Sequence, residues 1–120
     1  MFYFFGDDTS LAVKYYIDET RKYGPKYPDC HISEMTNKEA EEAYVHTRMA
    51  YRLAKREGAP EEVLEALGGE VLETFRYVAA FSDTLVDSVN NGRFQPVGAK
   101  IGKFKEIIQE VRHPSSADAA

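Results

Sequence analysis

Hydrophobic positions recur at steps of three and four residues from Glu61 to Asn91, the longest patterned stretch of the chain. The repeating positions are Leu64, Leu67, Val71, Phe75, Val78, Ser82, Leu85 and Val89. Because this is the spacing of one helix face, we predict one central helix over about 61–91. At ~1.5 Å per residue, it would be ~45 Å long. Gly68-Gly69 lies inside the pattern and costs about 1 kcal/mol per glycine, so we expect any kink or break there.

Three shorter helices are predicted around the central one. The first runs from Asp7 to Tyr23 and ends at Gly24-Pro25. The second follows a capping-box sequence that begins at Thr36, and runs to about Glu57. The last covers about 97–112, where the apolar positions again follow the helical period.

Four helices with short connections predict an all-α, four-helix and mainly antiparallel bundle. At 120 residues, the chain is expected to form one domain over 1–113, with a flexible tail over 114–120. A central helix this long and this apolar would extend beyond its three neighbours. We therefore expect a second copy of the chain to cover it, which predicts a homo-oligomer.

The composition narrows the class of protein. A hydrophobic content of 43% with 29% charged residues is typical of a globular chain, and a net charge of −5 argues against general nucleic-acid binding. The single cysteine, Cys30, excludes an internal disulfide and favours a reducing cytoplasm. The N-terminus has no basic segment typical of a signal peptide, and no stretch approaches the ~20 apolar residues that span a bilayer.

The N-terminus carries four consecutive aromatic residues, Phe2, Tyr3, Phe4 and Phe5. Four exposed aromatic side chains would be costly in water, so we expect an arm that packs on another surface. That surface is the domain's own core, a second subunit or partner protein, or a membrane surface.

Two pairs of carboxylates lie at helical spacing, Glu39 with Glu42 and Glu70 with Glu73. Each pair would lie on one helix face, and two packed helices could bring both pairs to one Mg²⁺ ion. The pattern resembles the E-x-x-E and E-x-x-D helices of the all-α nucleoside-triphosphate pyrophosphohydrolases, although Glu73 stands where that family has Asp. The resemblance implies Mg²⁺-dependent hydrolysis of nucleotides with these four residues as metal ligands.

Two aspartates and one histidine are further candidate functional residues. Asp83 and Asp87 would lie in the last turns of the central helix, where the helix dipole disfavours anions. We expect them to meet lysines of the last helix or a basic partner surface. His46 follows Glu42 by one turn and could join these acids at a metal, but an ordinary contact on the helix surface is the simpler interpretation.

A basic stripe runs along the end of the second helix and consists of Arg48, Arg52, Lys55 and Arg56. It could bind phosphates or an acidic partner, although neighbouring glutamates could also neutralise it. Taken together, these features favour a protein-binding, oligomerising helical protein without catalytic activity or cofactor. It would act through the aromatic arm and through Asp83 and Asp87. The alternative is the Mg²⁺-dependent pyrophosphohydrolase.

Overall fold

The computed structural model describes residues 5–21 and 34–113, in which all regular structure is helical. The helices are α1 (Phe5–Arg21), α2 (Asn37–Arg56), α3 (Glu61–Ala79), α4 (Asp83–Asn90) and α5 (Ile101–Arg112). The prediction of an all-α fold is therefore confirmed for the described residues. None of the described helices is long and apolar enough to cross a membrane.

Helix α2 begins and ends as its local sequence predicts. The backbone N–H of Glu39 donates to Thr36 Oγ1 at 3.1 Å, and the N–H of Thr36 donates to Glu39 Oε1 at 2.9 Å. At the other end, Gly58 adopts a φ of +76°, and the N–H of Ala59 donates to the carbonyl of Ala54 at 3.0 Å. These contacts are a capping box and a Schellman motif, which satisfy backbone groups that a helix end leaves unpaired.

The prediction of one helix over 61–91 is wrong. Helix α3 runs through Gly68-Gly69 without a break, and the chain instead leaves the helix at residues 80–82. Ser82 then starts α4, because its Oγ accepts the N–H of Leu85 at 3.2 Å. Helices of 19 and 8 residues replace the ~45 Å rod, so the predicted helix length no longer argues for an oligomer.

A side chain that is distant in sequence contacts both helices at this break. Arg112, at the end of α5, donates from Nε to the carbonyl of Ala79 at 2.8 Å. Its Nη1 also lies 2.8 Å from Asp83 Oδ1 in the first turn of α4. One guanidinium therefore satisfies a free carbonyl at the end of α3 and an acid at the start of α4.

Helices α2 and α3 form an antiparallel pair. Thr47 and Thr74 meet at the middle of the pair through a buried hydrogen bond of 3.0 Å between their hydroxyls. On one side of this contact, Tyr44 packs against Phe75, with ring centroids 5.8 Å apart. On the other side, the small residues of late α2 pack against early α3, in a cluster of Ala50, Ala54, Val63 and Leu67.

Helix α5, in contrast, runs parallel to α3. Gly98, just before α5, contacts Gly68. Farther along both helices, Glu110 pairs with Arg76 at 2.7 Å, and Arg112 reaches the end of α3. The prediction of a mainly antiparallel bundle is therefore not confirmed, because the segment 91–100 returns along α3 before α5 begins.

The returning segment is held by an aromatic cluster. Phe75 is fully buried, and its ring centroid lies 4.8 Å from that of Phe104 on α5 and 5.6 Å from that of Phe94 on the segment. Val97 is also buried. The segment takes up the residues before Ile101, so the last helix begins four residues later than predicted.

Several sequence predictions concern residues outside the described ranges. These are the aromatic residues Phe2, Tyr3 and Phe4, the loop that contains Cys30, and the tail 114–120. Phe5, the last residue of the predicted arm, is the first residue of α1.

Candidate functional site

The four predicted metal ligands lie at different levels of the α2–α3 pair. Glu39 and Glu42 precede Thr47 on α2, and Glu70 and Glu73 precede its partner Thr74 on α3. Because the helices are antiparallel, the two glutamate pairs lie on opposite sides of the threonine contact. At ~1.5 Å per residue, they are separated by about 9–18 Å along the axes.

Two of these carboxylates also have interactions within their own helices. Glu39 is engaged in the capping box of α2. Burial raises the pKa of the Glu70 carboxyl, and the nearby charge of Glu73 raises it further. In the described ranges, no group of three or more His, Cys, Asp or Glu side chains is placed to hold a metal ion. The geometry therefore gives the Mg²⁺ hypothesis no support.

The break at residues 80–82 places Asp83 and Asp87 on the separate helix α4, and not in the last turns of one central helix as the sequence predicted. Asp83 lies in the first turn of α4, where the helix dipole favours an anion, and its partner is Arg112 rather than a lysine of the last helix. Asp87 lies one turn later and is exposed. His46, predicted on the helix surface, is instead fully buried.

Helix α1 carries apolar residues on two sides. Its inner side packs against the small residues of α2 and the start of α3 through Ala12, Val13, Tyr16 and Ile17. One turn apart on another side, Leu11 is 66% exposed and Tyr15 is 52% exposed. We call Leu11 and Tyr15 the outer face of α1. In the described part of the chain, they are the two most exposed large hydrophobic residues.

An open groove of about 640 Å³ lies between the end of α2 and the segment that precedes α5. We call it the basic groove. Its α2 wall is formed by Tyr51, Arg52, Lys55 and Arg56, and its other wall by residues 96–100, which end at Lys100. Arg48, the first member of the predicted stripe, does not line the groove and instead lies over the ring of Tyr44, 5.5 Å from its centroid.

A close crossing of two glycines shapes the second wall. A Cβ atom on Gly68 would lie 2.6 Å from the carbonyl oxygen of Gly98, a distance that real side chains do not tolerate. Gly98 itself has a φ of +84°, in the left-handed region that favours glycine. The crossing brings the backbone of 96–100 against α3, within reach of Tyr51.

The sequence indicated only half of this groove. The spacing of Arg52, Lys55 and Arg56 placed them on one helix face, but nothing local connected them with Lys100, more than 40 residues later. The available signal was the pair of glycine-containing stretches, Gly68-Gly69 and Gly98. Glycines in such positions indicate close backbone approach.

These features define the protein's class only as an all-helical domain with an exposed apolar helix face and a basic groove. Comparison with protein-family models, curated proteins and solved structures finds no match for the chain.

Proposed function

We propose that this domain acts by binding protein, without catalysis, and that its first partner is a second copy of the chain bound at the outer face of α1. The exposure of Leu11 and Tyr15 carries this proposal. Each is large enough to anchor an interface, and they lie one turn apart beside the salt bridge between Lys14 and Asp18. An apolar centre with a charged rim is the usual anatomy of a protein interface.

The aromatic N-terminus completes the proposed surface. A stable interface buries about 800 Å² on each partner, which is more than two side chains supply. The residues Phe2, Tyr3, Phe4 and Phe5 adjoin α1 in the sequence, and we include them in the proposed surface as further aromatic area. Aromatic side chains contribute strongly to binding because they bury a large area for few rotatable bonds.

The acids of α4 have a smaller place in the proposal. Asp83 is engaged by Arg112, so Asp87 is the carboxylate that remains for a basic partner surface. A rim charge of this kind would affect the association rate and the partner choice more than the affinity. The single cysteine favours the cytoplasm as the compartment in which the protein acts.

The test is the mass in solution, measured by size-exclusion chromatography with light scattering. At roughly 100 μM protein and a dimer Kd of about 10 μM, about four fifths of the chains are dimeric, so we expect an average mass approaching twice the 13.6 kDa chain mass. The double variant Leu11→Gln with Tyr15→Gln should return the monomer mass, and removal of residues 1–4 should weaken the dimer.

Val45→Gln is the matched control, because Val45 is also an exposed large hydrophobic residue but lies on α2. It should leave the dimer intact. A wild-type chain that is monomeric at this concentration, or a dimer that the α1 double variant does not weaken, would refute the proposal.

A further inference from the structure

The basic groove concentrates positive charge from two separate elements. Arg52, Lys55 and Arg56 stand at positions i, i+3 and i+4 of α2 and therefore share one face. Lys100 lies on the opposite wall. Among the described residues, none that lines the groove is acidic, and no salt bridge joins these four cations to a carboxylate.

The ends of the helices explain only part of this arrangement. Lys55 and Arg56 lie in the last turn of α2, where the helix dipole favours cations. Arg52 lies a turn earlier, and Lys100 belongs to another element that precedes a helix N-terminus, where a cation is disfavoured. Cations that converge on one cavity despite their mutual repulsion indicate a site for an anion.

The groove also offers a flat ring. Tyr51, on the α2 wall, is half-buried and lies against Gly98.

The size and the residue types favour a small ligand with several phosphate groups. A volume of about 640 Å³ lies in the range of small-molecule sites. Arginine binds phosphate through two parallel hydrogen bonds, and the groove carries two arginines and two lysines. Since cations stand on both walls of the groove, a ligand with linked phosphates carries anionic charge for each wall.

We propose that the basic groove binds linked phosphate groups, carried by inorganic polyphosphate or by a nucleoside triphosphate, through Arg52, Arg56 and Lys100. This site is separate from the outer face of α1. The variant Leu11→Gln with Tyr15→Gln should therefore bind the phosphates as the wild type does, which makes the two proposals independently testable.

The experiment is calorimetric titration of the full chain with inorganic tripolyphosphate and with ATP, in low salt and with a chelator to remove divalent metals. Arg52→Gln and Lys100→Gln should each weaken binding about tenfold, since each removes a charge-assisted contact. Lys105→Gln is the matched control, because Lys105 is exposed on α5 outside the groove and its replacement changes the net charge equally.

The two ligands distinguish the sources of phosphate. Equal affinities would assign the site to polyphosphate, whereas tighter binding of ATP that is lost in Tyr51→Leu would assign it to a nucleotide whose base stacks on the ring. Thermal melting should show that every variant is folded. The proposal is overturned if neither ligand binds at about millimolar concentration, or if Lys105→Gln weakens binding as much as Lys100→Gln.

Discussion

The adjacent glycines of α3 should respond in opposite directions to the same substitution. A Cβ on Gly68 would lie 2.6 Å from the carbonyl oxygen of Gly98, whereas a Cβ on Gly69 would meet no atom of the described residues within 4 Å. Both residues lie in the interior of one helix. Replacing each by alanine therefore makes the same change in helix propensity but a different change in packing.

The expected magnitudes follow from that comparison. Gly69→Ala should stabilise the fold by about 0.5–1 kcal/mol, because alanine is the better helix former. Gly68→Ala has the same gain, but the backbone of 96–100 must move away to admit the methyl group. Overpacking of this kind costs about 1–3 kcal/mol. The propensity terms cancel between the two variants, so their stabilities should differ by about 1–3 kcal/mol.

Urea denaturation followed by circular dichroism measures this difference. We expect the unfolding midpoint to rise for Gly69→Ala and to fall for Gly68→Ala relative to the wild type. The reasoning is refuted if the two variants are equally stable, because the close crossing with Gly98 would then have no energetic consequence. Because Gly98 lines the basic groove, Gly68→Ala should also lower the affinity for any ligand that binds there.

Three further predictions concern single polar groups. The Tyr44 hydroxyl is buried and has no hydrogen-bond partner among the described residues; burial raises the pKa of Tyr44 to about 12, partly offset by the charges of Arg48 and Arg52. Tyr44→Phe should therefore stabilise the fold by about 1 kcal/mol in urea denaturation, and a clear loss of stability would contradict this account. The raised pKa of Glu70 means that the folded state holds its proton more tightly than the unfolded state. The contribution of Glu70 to the free energy of unfolding should therefore fall as the pH rises from 4.5, the ordinary pKa of a glutamate, through the raised pKa of the folded state. Glu70→Gln should be more stable than the wild type at pH 7 and lose this advantage near pH 4, as melting curves at both pH values would show; a constant difference would argue against it. Asp83→Asn should cost at most about 1 kcal/mol, because its side chain is 83% exposed and the ion pair with Arg112 is largely solvated. Arg112→Gln should cost more, since it also removes the bond to the Ala79 carbonyl, and equal costs in melting experiments would contradict that role.

The start and end of α2 could be predicted from neighbouring residues alone. The capping box at Thr36 and the glycine at position 58 act over a few residues, and the structure confirms both. The buried face of α2 follows its apolar period in the same way, with Ala40, Ala43 and Ala50 in the core. Each of these features depends on local hydrogen bonds or on helix periodicity.

The candidate groove could be predicted only in part. The sequence places Arg52, Lys55 and Arg56 on one helix face because their spacing is local. It does not place Lys100 on the opposite wall, since the position of Lys100 depends on the return of 91–100 along α3. For the predicted metal ligands, helix periodicity pairs the acids within each helix but contains no information about the register between helices, which sets the distance between the two pairs.

The apolar period thus determined that the described part of the chain is helical, and it determined most of the buried face of α2. It did not determine where the central pattern divides, because the period continues in phase through residues 80–82. The local cap at Ser82 and tertiary contacts together decided that division, and tertiary contacts decided the direction of α5. Arg112 binds the carbonyl at the end of α3, and the crossing of Gly68 with Gly98 starts α5 beside the same helix. These contacts join residues about 30 positions apart, so their energy appears only when the chain is folded, beyond the reach of any local pattern.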